Sequence, residues 1–547
     1  GPFLERGGLE RGGPVIAAPD RALQGAAEVL DILVDPGTFQ SWDDPVDHGH
    51  LEEDYARDLG RAREVTGLDE AVVTGRATIG GRPVGVIASD FRFLGGTIGV
   101  LTARRIAAAF RRAAREGLPV VAAPSSGGTR MQEGTHAFLA MLDIAEALRV
   151  FRETGRAYLV YLRHPTTGGV MASWGSLGHV TFAEPGALVG FLGPRAVEAI
   201  TGEAIPEGVQ RAENLADVGL VDAVVSPSQI RSVLDRALGL MSAPDGGSPA
   251  GDVTGSPPAS QVAVRAAVPT NPWDAVLATR DARYPRFQDL VRSLGDVLPL
   301  SGTAEGAAES GVGVVLARFG RLNAVVVGQT GDPGRPLGPD SLRIARRGIR
   351  LAGELGLAVV TVIDTPGATL SAAAEEGGLA GQIARTLGDL TALQVPTVSV
   401  LLGQGCGGAA LALLPADRTV ASSHAWISPL PPEGASAIVH RTPDLAPRVA
   451  RHQGIGLGGL LRLGIVDEVV AYPAGGAAGN EEFLAGLRER IGDHLAQVTP
   501  AEQGPVGTPA AAPDAVPVRP GVTGTAGGRP EARMERYRRI VGLPLVA

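Results

Sequence analysis

Four short turns carry the residue types that could stabilise negative charge developing on an oxygen atom. They are Gly127-Gly128, Gly168-Gly169, Gly367-Ala368 and Gly408-Ala409. A glycine turn lets backbone N–H groups approach a ligand because no Cβ intervenes, and a helix starting there adds positive potential. Two such turns converging on one point form an oxyanion hole, so the sequence offers one pair early in the chain and a second pair late. Chemistry resting on preorganised amides needs no nucleophilic triad. No G-x-S-x-G elbow occurs, which disfavours hydrolase chemistry.

The other reactive side chains are sparse. The nine histidines show no H-E-x-x-H spacing, so His136 and His179 are read as structural, no metal ligand is assigned and no zinc is expected. Cys406, set among glycines, is read as a small buried thiol rather than a nucleophile. Arg343 and Arg347 lie four apart on one helical face and could bind phosphates, as could an exposed arginine face of no special purpose. Arg130, directly after the Gly127-Gly128 turn, is better placed for an anion.

The elements that must position these turns repeat. EGLPVVAAPSSGG at Glu116–Gly128 is answered by LGLAVVTVIDTPG at Leu355–Gly367, and PTTGG at Pro165–Gly169 by QGCGG at Gln404–Gly408, both at a separation of 239 positions. Val- and Ile-rich runs at Leu118–Ala122, Ala157–Leu162, Ala358–Ile363 and Thr397–Leu402 predict strands, and Arg104–Glu116 and Ser341–Leu355 predict helices. Their alternation predicts an α/β fold with parallel strands. The apolar stretch from Val395 to Ala416 is broken by Gln404 and by glycines, which predicts strand, loop and helix rather than a bilayer span. Composition divides the chain into an N-terminal extension (1–29), a first domain (30–241), a flexible linker (242–268), a second domain (269–498), a Pro/Ala/Gly-rich linker (499–529) and a C-terminal helix (530–547).

At 547 residues, 44% of them apolar, the chain has the material for two large cores. Its net charge of −9 supplies no basic field for nucleic acid or an anionic membrane surface. No lysine occurs: all 49 basic residues are arginines, which excludes a Schiff-base lysine, a Walker P-loop and a biotinyl-lysine. Any biotin must arrive on another protein. A single cysteine forbids an intramolecular disulfide and fits a reducing cytoplasm, the expected location.

SSGGTRMQEG at Ser125–Gly134, PTTGGVMASWGSLG at Pro165–Gly178, AEPGALVGFLGPRAVE at Ala183–Glu198 and PEGVQRAE at Pro206–Glu213 resemble the carboxyltransferase beta subunit of bacterial acetyl-CoA carboxylase. NPWDAVLATR at Asn271–Arg280, IDTPGA at Ile363–Ala368 and ISPLPPEGASAI at Ile427–Ile438 resemble its alpha subunit. The resemblance implies two tandem crotonase-like domains of repeated β-β-α units, with acyl-CoA on the first, carboxybiotin on the second and the active site between domains, across a homodimer or a higher homo-oligomer. Gly168 and Gly169, helped by Gly127 and Gly128, would hold a thioester enolate. The turn of Gly407, Gly408 and Ala409, with Gly367 and Ala368, would hold the biotin ureido oxygen. Three features depart from the family pattern. The four-cysteine zinc ribbon is missing, G-E-G-G-S-G-G is replaced by GQGCGGA at Gly403–Ala409, and ISPLPPEG is three residues longer than ISPEG.

The function this implies is carboxyl transfer from carboxybiotin on a separate carrier protein to the α-carbon of acetyl-CoA or a related short acyl-CoA. Biotin carboxyl carrier protein and biotin carboxylase would be the partners, with no nucleic-acid or membrane partner. Two alternatives stay open at this point: decarboxylation of a malonyl thioester of CoA or acyl carrier protein on the same scaffold, and a non-catalytic subunit of a carboxylase complex.

Overall fold

The computed structural model describes residues 25–49, 51–242, 269–303, 311–330, 337–473, 476–499 and 529–541. They fall into two compact units, the first carried mainly by residues up to Met241 and the second mainly by those from Ser242 onward. The segments expected as linkers lie outside the described residues at 243–268 and 500–528, as do residues 1–24 of the expected extension. Residues 26–29 are part of a helix, Ala26–Leu33, which buries Val29, Leu30 and Leu33. This helix straddles the boundary expected between extension and first domain. The C-terminal helix runs over Arg529–Val541.

The first unit is built on a seven-stranded sheet in chain order: β1 (Gln40–Ser41), β2 (Val72–Ile79), β3 (Arg82–Ser89), β4 (Val120–Ala123), β5 (Tyr158–Leu162), β6 (Val180–Ala183) and β7 (Ala223–Val224). β2 and β3 form an antiparallel hairpin, and from β3 onward each neighbour is parallel. Parallel neighbours require a crossover, which helices Val100–Glu116 and Gly134–Glu153 supply between β3 and β5. β4 and β5 have no exposed residue because a parallel sheet covered on both faces must be apolar throughout. The core gathers Phe110, Phe151 and Tyr158, with Phe110 edge-on to Tyr158 at a centroid distance of 5.3 Å.

The second unit repeats the plan with β8 (Val297–Leu300), β9 (Val312–Phe319), β10 (Leu322–Gln329), β11 (Ala358–Thr365), β12 (Thr397–Cys406), β13 (Arg418–Ser422), β14 (Trp426–Ser428) and β15 (Glu468–Val470). The hairpin is now β9–β10, followed by parallel β10–β11, β11–β12 and β12–β13. The repeat extends to single residues. Helices Val100–Glu116 and Pro339–Leu355 start after Gly99 and Gly338 and end at Gly117 and Gly356, whose φ angles are 66° and 67°. Two mixed α/β units with parallel-dominated sheets, each opened by a hairpin and helix, are thus the architecture, in keeping with the fold class expected from sequence.

The apolar stretch from Val395 resolves as buried strand β12 leading directly into a short helix, Gly407–Leu411. Among the described residues no helix is long and apolar enough to cross a membrane.

Candidate active site

In the first unit the two turns lie against each other. Ser126 N–H donates to the Pro165 carbonyl and Thr167 N–H to the Ser126 carbonyl, both at 2.8 Å, so the segments run as a parallel pair beyond the ends of β4 and β5. The approach is so close that a Cβ on Gly128 would sit 2.9 Å from Gly168 Cα, and one on Gly168 would sit 2.6 Å from Gly128 Cα. Both residues also hold positive φ, 107° and 70°. Only glycine satisfies both constraints.

Hydrogen bonding then selects the donors. Gly127 N–H is engaged by the Gly95 carbonyl at 2.8 Å, Gly128 N–H by Ser126 Oγ at 3.0 Å and Gly168 N–H by the Phe191 carbonyl at 2.8 Å. Thr129 and Gly169 are the neighbouring amides left without a protein acceptor among the described residues, and the Gly169 Cβ position lies 3.9 Å from Thr129 N. Of the glycines named from sequence, Gly127, Gly128 and Gly168 thus have engaged amides and Gly169 does not, and Thr129, one position beyond the first doublet, is the other unengaged amide.

The second unit repeats this arrangement at the same 239-residue separation. Gly367 has φ 126° and Gly407 φ 71°, matching Gly128 and Gly168. Gly367 N–H is engaged by Thr365 Oγ1 at 3.1 Å, and Leu337 pairs with Ala368 as Ile98 pairs with Thr129. Ala368 and Gly408 are left as the counterparts of Thr129 and Gly169, with no protein acceptor among the described residues. Ala409 follows Gly408 in the first helical turn, where amides lack intrahelical partners. Of the residues named from sequence in these two turns, Gly367 has its amide engaged, and Ala368 and Gly408 do not.

Arg130 is a correction. It is fully buried (0% exposed), and its guanidinium makes a two-pronged pair with Glu70 at 2.6 and 2.8 Å and also donates to the Thr97 carbonyl at 2.9 Å. A CoA phosphate cannot reach it; its role is to anchor the turn that ends in Thr129. Burial alone would raise the Glu70 carboxyl, but Arg130, the Thr102 hydroxyl and the Ala71 N–H outweigh it and hold the group below the usual glutamate range. Glu133 extends the anchor to Tyr55, whose hydroxyl is pushed up to about 12 by burial and by donating to that carboxylate.

In the second unit the anchor is Asp364, fully buried, which accepts from Arg286 at 2.9 Å and from Gln404 N–H at 3.1 Å. Burial raises its carboxyl in spite of both partners. Cys406 is buried and its thiol is pushed up to about 11 by desolvation, which suits packing and not nucleophilic attack. Arg343 and Arg347 do share a helix, but Arg343 pairs with Asp340 and donates to the Gly377 carbonyl at 3.1 Å. His179 accepts the Tyr158 N–H at 2.9 Å, the structural use read from sequence. Among the described residues no three His, Cys, Asp or Glu side chains are arranged to hold a metal ion.

A cavity of about 240 Å³ adjoins the turn after Gly169 and is lined by Leu162, Met171, Ala172, Val189, Phe191 and Leu220, among others. Its lining is mostly apolar, with the hydroxyl-bearing Ser176 and Thr181 also on the wall.

The carboxyl transferase domain profile matches residues 21–456. The chain belongs to the carboxyl transferase family. It is 49% identical over 520 residues to the probable biotin-dependent acyl-coenzyme A carboxylase beta3 subunit of Mycobacterium tuberculosis strain H37Rv, covering 94% of this chain and 97% of that one. It is 38% identical over 484 residues to the acetyl-coenzyme A carboxylase carboxyl transferase subunits beta/alpha of Salinispora tropica, covering 85% of each. In three dimensions it is similar to transcarboxylase 12S, solved as a hexamer assembly with methylmalonyl-coenzyme A bound, with a TM-score of 0.69 at 22% identity over 88% of this chain and 92% of that one. That likeness bears out the carboxyltransferase fold. The protein is the carboxyltransferase component of a biotin-dependent acyl-CoA carboxylase, with beta-type and alpha-type halves fused, as the motifs implied.

Proposed function

We propose that the first unit binds a short acyl-CoA thioester, acetyl-CoA or a close relative, and that Thr129 and Gly169 donate to its carbonyl oxygen as the enolate forms. Ala368 and Gly408 play the same part for the ureido oxygen of biotin presented by a separate carrier protein. The observation that carries this reading is the recurrence of the same free amide pair, in the same backbone conformation, 239 residues apart. Carboxybiotin supplies the carboxyl group when bound. The chain's own residues orient the two acceptor oxygens and lower the cost of negative charge on each. Neither step requires a side-chain nucleophile, in keeping with the raised Cys406 thiol. Biotin carboxyl carrier protein and biotin carboxylase are the proposed partners, and a homodimer or higher homo-oligomer the proposed working form.

The test uses the full-length protein, malonyl-CoA and other carboxyacyl thioesters, and free biotin as carboxyl acceptor. Biotin-dependent loss of the carboxyl group is the expected result, fastest with the short acyl chains. If malonyl-CoA loses CO2 equally fast with and without biotin, the proposal fails.

A further inference from the structure

We infer that Gln329 is a positioning residue for the biotin-side amide pair, an inference that rests on the function proposed above. Gln329 ends β10 and is fully buried. Its Oε1 accepts the Asp364 N–H at 3.2 Å, and its Nε2 donates to the Ala409 carbonyl at 2.8 Å. One carboxamide therefore spans the two segments that present Ala368 and Gly408.

A break in the sheet explains why a side chain is needed. β11 and β12 pair in register up to Ile363 with Leu401, and the next pair is Thr365 with Gly405, so β12 advances four residues while β11 advances two. Ladder hydrogen bonds that would otherwise fix the spacing are lost across this irregularity. The Asp364 N–H goes instead to Gln329, and the Gln404 N–H goes to the Asp364 carboxylate. Buried backbone donors must find partners, and here the partners also set where the two turns stand.

The first unit has the same break, with Ala122 opposite Val160 and then Ser126 opposite Thr166, but not the same brace. The residue at the equivalent hairpin position is Ser89, paired with Val72 as Gln329 is with Val312, and its hydroxyl makes no hydrogen bond among the described residues. A serine is too short to cross to the second loop. The spanning carboxamide is thus particular to the second unit, and its loss should affect biotin use and not thioester binding.

The full-length Gln329→Met variant keeps the side-chain volume and removes both hydrogen bonds. With malonyl-CoA as donor and free biotin as acceptor, kcat/KM for biotin is expected to fall roughly tenfold or more. Malonyl-CoA binding, measured directly, should change less than about twofold by the same reasoning. Gln329→Glu supplies a second readout. Its carboxylate cannot donate to the Ala409 carbonyl, whereas its acid form can, so activity should recover as pH is lowered relative to the parent profile. Unchanged biotin kinetics, equal losses in biotin use and malonyl-CoA binding, or a Gln329→Glu profile parallel to the parent would each overturn the inference. A parent protein inert toward biotin would overturn the underlying function instead.

Discussion

The two units hold the same pair of turns with different braces. Around Thr129 and Gly169 the loop ends are tied by neutral hydroxyls, Ser125 to the His164 carbonyl at 3.0 Å and Thr166 to the Pro124 carbonyl at 2.9 Å, with the Arg130–Glu70 pair sealed behind them. Around Ala368 and Gly408 the hydroxyl of Ser125 is replaced, 239 residues on, by the carboxylate of Asp364, whose cation Arg286 is 18% exposed, and by the spanning Gln329. Backbone conformation was preserved between the repeats while its support was rebuilt. The unengaged amides belong to the turn geometry that both units share, and what differs between the units lies in the supports and walls.

The sharpest way to break the comparison is to remove one anchor from each unit. Glu70→Ala leaves the unexposed Arg130 with Glu133, at 3.2 Å, as its remaining carboxylate, and breaking a buried pair costs about 3–5 kcal/mol. Asp364→Asn should cost less, about 1–3 kcal/mol, because the Arg286 guanidinium already reaches water. Denaturant unfolding of the full chain compares the two, and equal losses would mean that the braces are equivalent. Next in size is Gly169→Val, whose Cβ would press on Met141 Cε at 2.7 Å and displace a donor. Turnover should fall about 10²–10³-fold with the protein still folded, the scale of losing one oxyanion donor. Unaltered turnover would remove Gly169 from the site.

Acid pH separates the braces by sign. The Glu70 carboxyl lies below its unfolded value of 4.5, so its stabilisation is present above that value and is lost as pH falls through the folded one. The Asp364 carboxyl lies above its unfolded value of 3.8, so its contribution is fully present below 3.8 and declines as pH rises through the folded one. Hydrogen-exchange protection at β4 and β11, corrected for intrinsic rates, should therefore change in opposite directions on acidification. Parallel changes would show that other groups dominate. The smallest expected effect is on acyl choice. Ala172→Leu fills part of the 240 Å³ cavity and should lower kcat/KM for longer acyl chains relative to acetyl by about tenfold. An unchanged ratio would take the cavity out of substrate selection.

Much of this architecture was legible in the chain because apolar runs, glycine stops and a constant separation are local signals. The strands at 118–122, 157–162, 358–363 and 397–402 appear within a few residues of their expected places. The turns were legible, and which of their amides are left unengaged was less so. Ala368 lies in a turn marked by its own glycine, and the same separation leads back to Thr129, whereas the glycine doublet points to Gly127 and Gly128. Their amides are taken up by Gly95 and Ser126, partners that only folding reveals. Arg130 was misread for a related reason. Its neighbour in sequence is a turn, but its partner in space, Glu70, is 60 residues away with no pattern to announce it. Gln329 and Asp364 were invisible in the same way, since a broken ladder leaves no periodicity.

The C-terminal helix brings one more residue to bear on the second unit. Arg533 is 2% exposed and donates to the carbonyls of Leu390, Leu393 and Val395, while Asp417 accepts from it at 3.0 Å. It thereby closes the C-terminal end of helix Leu379–Thr391, whose Ile383 lies 3.2 Å from the Cβ position of Gly408. During synthesis the strands and helices of this unit emerge long before that plug does. Until Arg533 has emerged and docked, these carbonyls lack this donor, so the packing at this helix end is completed last.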